Sequence, residues 1–153
     1  MNYYSTNNHN LRVTLKEAIT QGLAADRGLF LPERIPMLPQ SFFDKIEHMN
    51  FKEVAFEVAC ALIGEDIPTR DLKKLVQKAF PFDAPVFEVE KDVFALELFH
   101  GPTLAFKDFG ARFMSQLLAY YGKESEKTTT VLVATSGDTG GAVSHGCLGV
   151  RNT

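Results

Sequence analysis

Apolar residues recur at helical spacing across the middle of the chain's first half. Phe51, Val54, Ala55, Val58, Ala59 and Leu62 fall on one stripe, with Asn50 placed as cap and Gly64 as stop. Leu72, Leu75, Val76, Ala79 and Phe80 repeat the spacing until Pro81 ends it. A shorter helix is predicted over residues 40–49. Upstream, Val13 to Leu23 is amphipathic, and Thr14 with Glu17 three residues later has the form of a capping box. Gly22 is placed to end that helix. Asp26-Arg27-Gly28 reads as a turn before a short strand, Leu29-Phe30-Leu31, stopped by Pro32. Pro32, Pro36 and Pro39 then mark a loop expected to be ordered, since Ile35, Met37 and Leu38 need burial.

From Ala84 the period changes from helical to alternating. Val86 to Glu90 and Val93 to Leu98 alternate around a Lys91-Asp92 turn, which predicts a β-hairpin or two adjacent strands. A loop, His100 to Leu104, leads to a helix over about residues 105–121, with Phe106, Phe109, Phe113, Leu117 and Tyr120 on its apolar side. Thr130 to Ala134 reads as an apolar, β-branched strand, and Thr139 onward as another helix. Strand, glycine turn and helix open an α/β layer. A parallel neighbour would need a further strand after that helix, so the pattern reads as cut at Arg151-Asn152-Thr153. The expected division is a helical module over 1–83 and the beginning of an α/β domain over 84–153.

Composition narrows the function classes. Hydrophobic residues at 45% and charged residues at 23% are those of a soluble globular chain. The net charge of −3 and the absence of a long basic run argue against a nucleic-acid partner. Apolar runs are too short to span a bilayer, and the polar first ten residues carry no secretory signal. Cys60 and Cys147 are too few for a disulfide framework, and Cys60, on an apolar helix face, reads as a buried thiol. These features point to a cytoplasmic protein.

Two stretches carry candidate chemistry. The first is Phe99 to Gly110, with Lys107 at a helix start between Phe106 and Phe109. Burial among aromatics and the positive helix end both disfavour an ammonium, and a neutral amine is what Schiff-base chemistry needs. Asp108 acts in the opposite sense. On the residues alone, a Lys107 that reaches solvent beside an Asp108 that stabilises the first helical turn is the commoner arrangement, since surface Lys is the normal case. The second stretch is Ala134-Thr135-Ser136-Gly137-Asp138-Thr139-Gly140-Gly141, between strand and helix. Its backbone N–H groups and hydroxyls suit a carboxylate or phosphate. It matches neither a Walker loop, a dinucleotide fingerprint nor a nucleophile elbow. A plain turn capped by Asp138 or Thr139 is the alternative. Arg112 is a further residue able to meet an anion, while His100, His145 and Cys147 do not form a metal set.

The run Leu96 to Asp108, containing His100-Gly101-Pro102-Thr103 and Phe106-Lys107-Asp108, resembles the lysine motif of the threonine synthase family. Ala134 to Gly140 is similar to the same family's substrate-anion loop. Tyr4-Ser5-Thr6 and Gly22 to Pro32 resemble its N-terminal pattern. The resemblance implies a helical N-terminal module followed by the start of a fold-type-II (tryptophan synthase β-like) α/β domain. It further implies a lyase of threonine biosynthesis that uses pyridoxal phosphate to convert O-phospho-L-homoserine and water to L-threonine and phosphate. Lys107 would carry the cofactor as a Schiff base and move protons at the substrate's α and β carbons. Thr135, Ser136, Gly137 and Thr139 would bind the substrate carboxylate, and Asp138 would lie near the cofactor hydroxyl. That position is Asn in many relatives of the wider fold. The family's loop for the cofactor phosphate belongs later than Thr153, so the 153 residues alone are expected to be an inactive fragment.

Two other readings compete. One is a different fold-type-II lyase, such as a threonine dehydratase or cysteine synthase. The His-Gly-Pro-Thr lead and the helical N-terminal module favour threonine synthase over it. The other is a non-catalytic α/β module that binds an anion or a protein. Apolar surface on helix 105–121 and strand 130–134 is expected to be exposed, which favours self-association.

Overall fold

The computed structural model describes residues 1–124 and 128–150. They form two compact units, Met1–Lys74 and Leu75–Thr153.

The first unit is not purely helical. It holds a three-stranded antiparallel sheet of β1 (Tyr3–Ser5), β2 (Arg12–Val13) and β3 (Phe30–Pro32), in the order β2-β1-β3. The sheet is joined by a side-chain network. Ser5, fully buried, donates to Asp26 at 2.7 Å, and Gly28 N–H donates to the same carboxylate oxygen at 2.9 Å. A Cβ on Gly28 would collide with the Ser5 hydroxyl, so glycine is required.

Helix α1 (Leu15–Gln21) starts with the predicted capping box: Glu17 N–H donates to Thr14 Oγ1 and Thr14 N–H to the Glu17 carboxylate. The expected 40–49 helix is broken into α2 (Gln40–Phe43) and a 3₁₀ turn, Ile46–His48. Helix α3 (Phe51–Ile63) carries a second capping box, Asn50 with Glu53, and ends at Gly64. Helix α4 (Thr69–Ala79) runs across the division between units, with Leu72, Leu75, Val76 and Ala79 buried at the predicted spacing. The proline loop departs from expectation: Ile35 and Met37 are exposed. The prolines fix the chain's direction there, but the segment 33–39 joins no helix or strand that would turn those side chains inward.

In the second unit, β4 (Val86–Glu90) and β5 (Val93–Leu96) form the predicted antiparallel hairpin, with Asp92 left-handed (φ 64°) in the turn. Helix α5 (Lys107–Tyr121) and helix α6 (Asp138–Cys147) pack on each other. Buried Gly146 permits the contact, since a Cβ there would lie 3.2 Å from the Ala111 carbonyl oxygen. On another side of α5, Phe109 and Phe113 meet Phe80 at 6.1 and 5.9 Å between ring centroids, and Phe109 meets Phe82 edge-on at 5.1 Å.

The expected strand over 130–134 does not form. Residues 128–135 are in no helix or strand, and Leu132 is exposed. A strand is held by ladder bonds to a neighbour, and none pairs with this segment among the described residues. No helix among the described residues is long and apolar enough to cross a membrane.

Candidate functional site: the Lys107 cleft

Lys107 is the first residue of α5 and is half-buried. Its Nζ lies 4.6 Å from the centroid of the Phe106 ring. The two flanking aromatics do not enclose it equally. Phe106 is itself exposed, whereas Phe109 is committed to Phe80 and Phe82. Beside the lysine opens a mainly apolar cleft of about 580 Å³. Its walls come from α5 (Lys107, Phe109, Met114) and α6 (Thr139, Val143), with Leu98 from the stretch after β5. This volume falls within the range of small-molecule sites.

The cleft unites the two sequence motifs at one point. Thr139, in the first turn of α6, shares a wall with Lys107. Thr135, Ser136, Gly137 and Asp138 are exposed and stand outside that wall. Gly137 takes φ 144°, a conformation that favours glycine, and is the N-cap of α6. No side chain caps this helix. Thr135 Oγ1 accepts from Gly137 N–H at 3.2 Å, and a Cβ on Gly140 would come within 2.5 Å of Thr135 Cγ2. The turn is therefore folded back against the helix it opens, and the first-turn N–H groups of α6 are left without a side-chain cap. Such an end attracts an anion.

Other candidates have structural partners. Arg112 donates through Nε to the Ala79 carbonyl (2.8 Å) and through Nη2 to that of Lys78 (3.3 Å), so it caps the end of α4. Its remaining Nη1 faces His145 Nδ1 at 3.4 Å. His100 Nε2 lies 2.6 Å from the Glu97 carboxylate and its ring stacks on Phe99. No cluster of metal-ligand type occurs among the described residues. Cys60 and Cys147 are free and half-buried; burial raises both thiols, and Glu57 adds to this at Cys60.

Asp108 does not serve the first turn of α5. It is fully buried, and its two oxygens accept from Thr103 N–H and Thr103 Oγ1, each at 2.8 Å. The only trace in the sequence is a hydroxyl residue five positions earlier, two residues after a glycine.

A lysine at one helix start and the first turn of a second helix line one mainly apolar cleft of a mixed α/β protein. Comparison with known proteins makes the class specific. A family model described as the threonine synthase N terminus matches residues 2–80, just over half of the chain. The chain belongs to the threonine synthase family. It is 45% identical over 152 residues to threonine synthase from Escherichia coli, covering 99% of this chain and 35% of that protein. With threonine synthase from Schizosaccharomyces pombe it shares 36% identity, covering 99% and 32%. The crystal structure of the Escherichia coli protein superposes with a TM-score of 0.90 at 45% identity, over 99% of this chain and 35% of that one. The pyridoxal-phosphate-bound threonine synthase of Brucella melitensis also gives 0.90, at 35% identity, over all of this chain and 34% of that one. The chain thus spans about a third of the length of the curated relatives it matches.

Proposed function

We propose that this chain supplies the lysine-bearing part of a threonine synthase, which converts O-phospho-L-homoserine and water to L-threonine and phosphate with pyridoxal phosphate. The observation that carries this reading is Lys107 on the wall of a cleft shared with the first turn of α6. The residues fit the group. The cleft is large enough, its lining is mainly apolar, and an amine sits at its edge. Pyridoxal phosphate, when bound, supplies an electron sink for bond changes at the substrate's α and β carbons.

Lys107 would hold the cofactor covalently and, once released by the substrate amine, take and return protons at those two carbons. Lys107 is half-buried, and the Phe106 ring beside its Nζ limits the solvent around the amine. Thr135, Ser136, Gly137 and Thr139 would receive the substrate carboxylate at the uncapped start of α6. Asp138, the first residue of α6 and exposed, would face the cofactor hydroxyl. Coverage of about a third of each relative supports the further expectation that residues 1–153 alone do not turn over phosphohomoserine.

The test is to incubate the chain with pyridoxal phosphate, reduce with borohydride and map the adducts by mass spectrometry, with Lys107→Ala as control. Selective labelling of Lys107 is expected. Labelling spread over surface lysines overturns the reading and leaves a non-catalytic anion-binding module.

A further inference from the structure

The loop from Gly101 to Phe106 carries Lys107 into the cleft wall, and its conformation is costly. Leu104 sits in the left-handed region at φ 59°, a position that a branched side chain avoids. Its side chain is 74% exposed, so packing does not hold it there. The turn closes with Leu104 N–H donating to the Gly101 carbonyl at 3.1 Å.

The carboxylate of Asp108 grips this turn from inside. One oxygen accepts Thr103 N–H and the other Thr103 Oγ1. The approach is so close that a Cβ on Gly101 would collide with the carboxylate. Burying a carboxylate is expensive unless it is hydrogen-bonded, and a helix start alone does not call for it. An acidic residue in a first turn normally serves the helix's own N–H groups; here both oxygens face the loop.

We infer that Asp108 is a positioning residue: through Thr103 it locks the 101–104 turn to the first turn of α5 and thereby fixes the backbone that presents Lys107. The functional half of this inference rests on the reading of Lys107 given above.

The experiment uses the whole 153-residue chain and three variants: Asp108→Ala, Thr103→Val and Thr103→Ser. Hydrogen exchange of the amides at 103–109 reports the lock without any ligand. Exchange there should accelerate at least tenfold in Asp108→Ala and several-fold in Thr103→Val. Thr103→Ser keeps the hydroxyl and should match the parent, as should amides of α3 in every variant. In parallel, borohydride capture of pyridoxal phosphate at Lys107 should fall in the first two variants, while capture at Lys16 and Lys91 stays constant. Unchanged exchange at 103–109 overturns the lock. Faster exchange with undiminished Lys107 capture overturns the positioning role. Absence of capture in the parent chain would refute the cofactor reading instead, and the lock would then stand or fall on exchange alone. Should Asp108→Ala fail to fold, Thr103→Val decides, because it deletes only the Oγ1 bond.

Discussion

Alanine at Gly110 and alanine at Gly146 are one substitution in two packed helices, and the structure demands opposite outcomes. Gly110 lies within α5, is exposed, and a Cβ there meets nothing within 4 Å. Only helix propensity operates, and it favours alanine by about 0.8–1 kcal/mol. Gly146 is buried, one residue from the end of α6. Its Cβ would stand 3.2 Å from the Ala111 oxygen, 3.3 Å from the Ala111 carbonyl carbon and 3.4 Å from Arg112 N. These are backbone atoms of α5, fixed by helix hydrogen bonds, and cannot rotate aside. The helices would have to separate by a few tenths of an ångström, and overpacking of that kind costs about 1–3 kcal/mol. The propensity gain is smaller near a helix end, so the overpacking wins and a net loss of about 1–2 kcal/mol is expected. Urea denaturation followed by far-UV circular dichroism measures both variants against the parent, with α6 amide exchange as a local check. A Gly146→Ala chain as stable as the parent would refute the close seating of α6 on α5. A Gly110→Ala chain less stable than the parent would refute the open space on α5.

Two further predictions concern the first unit. Asn50→Ala removes the bond from Glu53 N–H to Asn50 Oδ1 (3.1 Å) at the start of α3 and should cost about 1 kcal/mol, or about 2–4 °C in melting temperature for a chain of this length, whereas Asn50→Asp should lose little. The Met1 amine donates to Asp66 at 3.3 Å and lies 3.5 Å from Glu65. Burial lowers its pKa, but these carboxylates outweigh burial and the net shift is upward from 8.0. A raised pKa means a stabilising contribution that is complete below about pH 8 and lost as pH climbs through the folded value. Melting temperatures of the parent and its amine-acetylated form should therefore differ at pH 7 and converge as pH is raised, and a gap constant with pH would rule the ion pair out as its source.

Local signals account for what could be read in the sequence. The periods of α3 and α4 and the two capping boxes are set by residues within a turn or two of each other, so spacing alone reveals them. The β4–β5 hairpin is similarly local. The sheet of the first unit is not. β1 and β2 have three and two residues, too few to show alternation, and β1 is paired with β3, more than twenty residues away. The 130–134 segment fails for the converse reason. Its composition suits a strand, but composition supplies no partner.

The site divides along the same line. Lys107 at a helix start and a glycine turn before α6 follow from residue order. Their meeting in one cleft does not, because it depends on where α6 crosses α5, and that is set by the contact of Gly146 with Ala111. The same contact brings Thr139 to the cleft while Thr135 and Ser136 stay outside its wall. If those two residues bind the substrate carboxylate, they do so from outside the wall on which Thr139 stands. Replacing Thr139 should then weaken anion binding more than replacing Ser136, an ordering that residue types alone would not give.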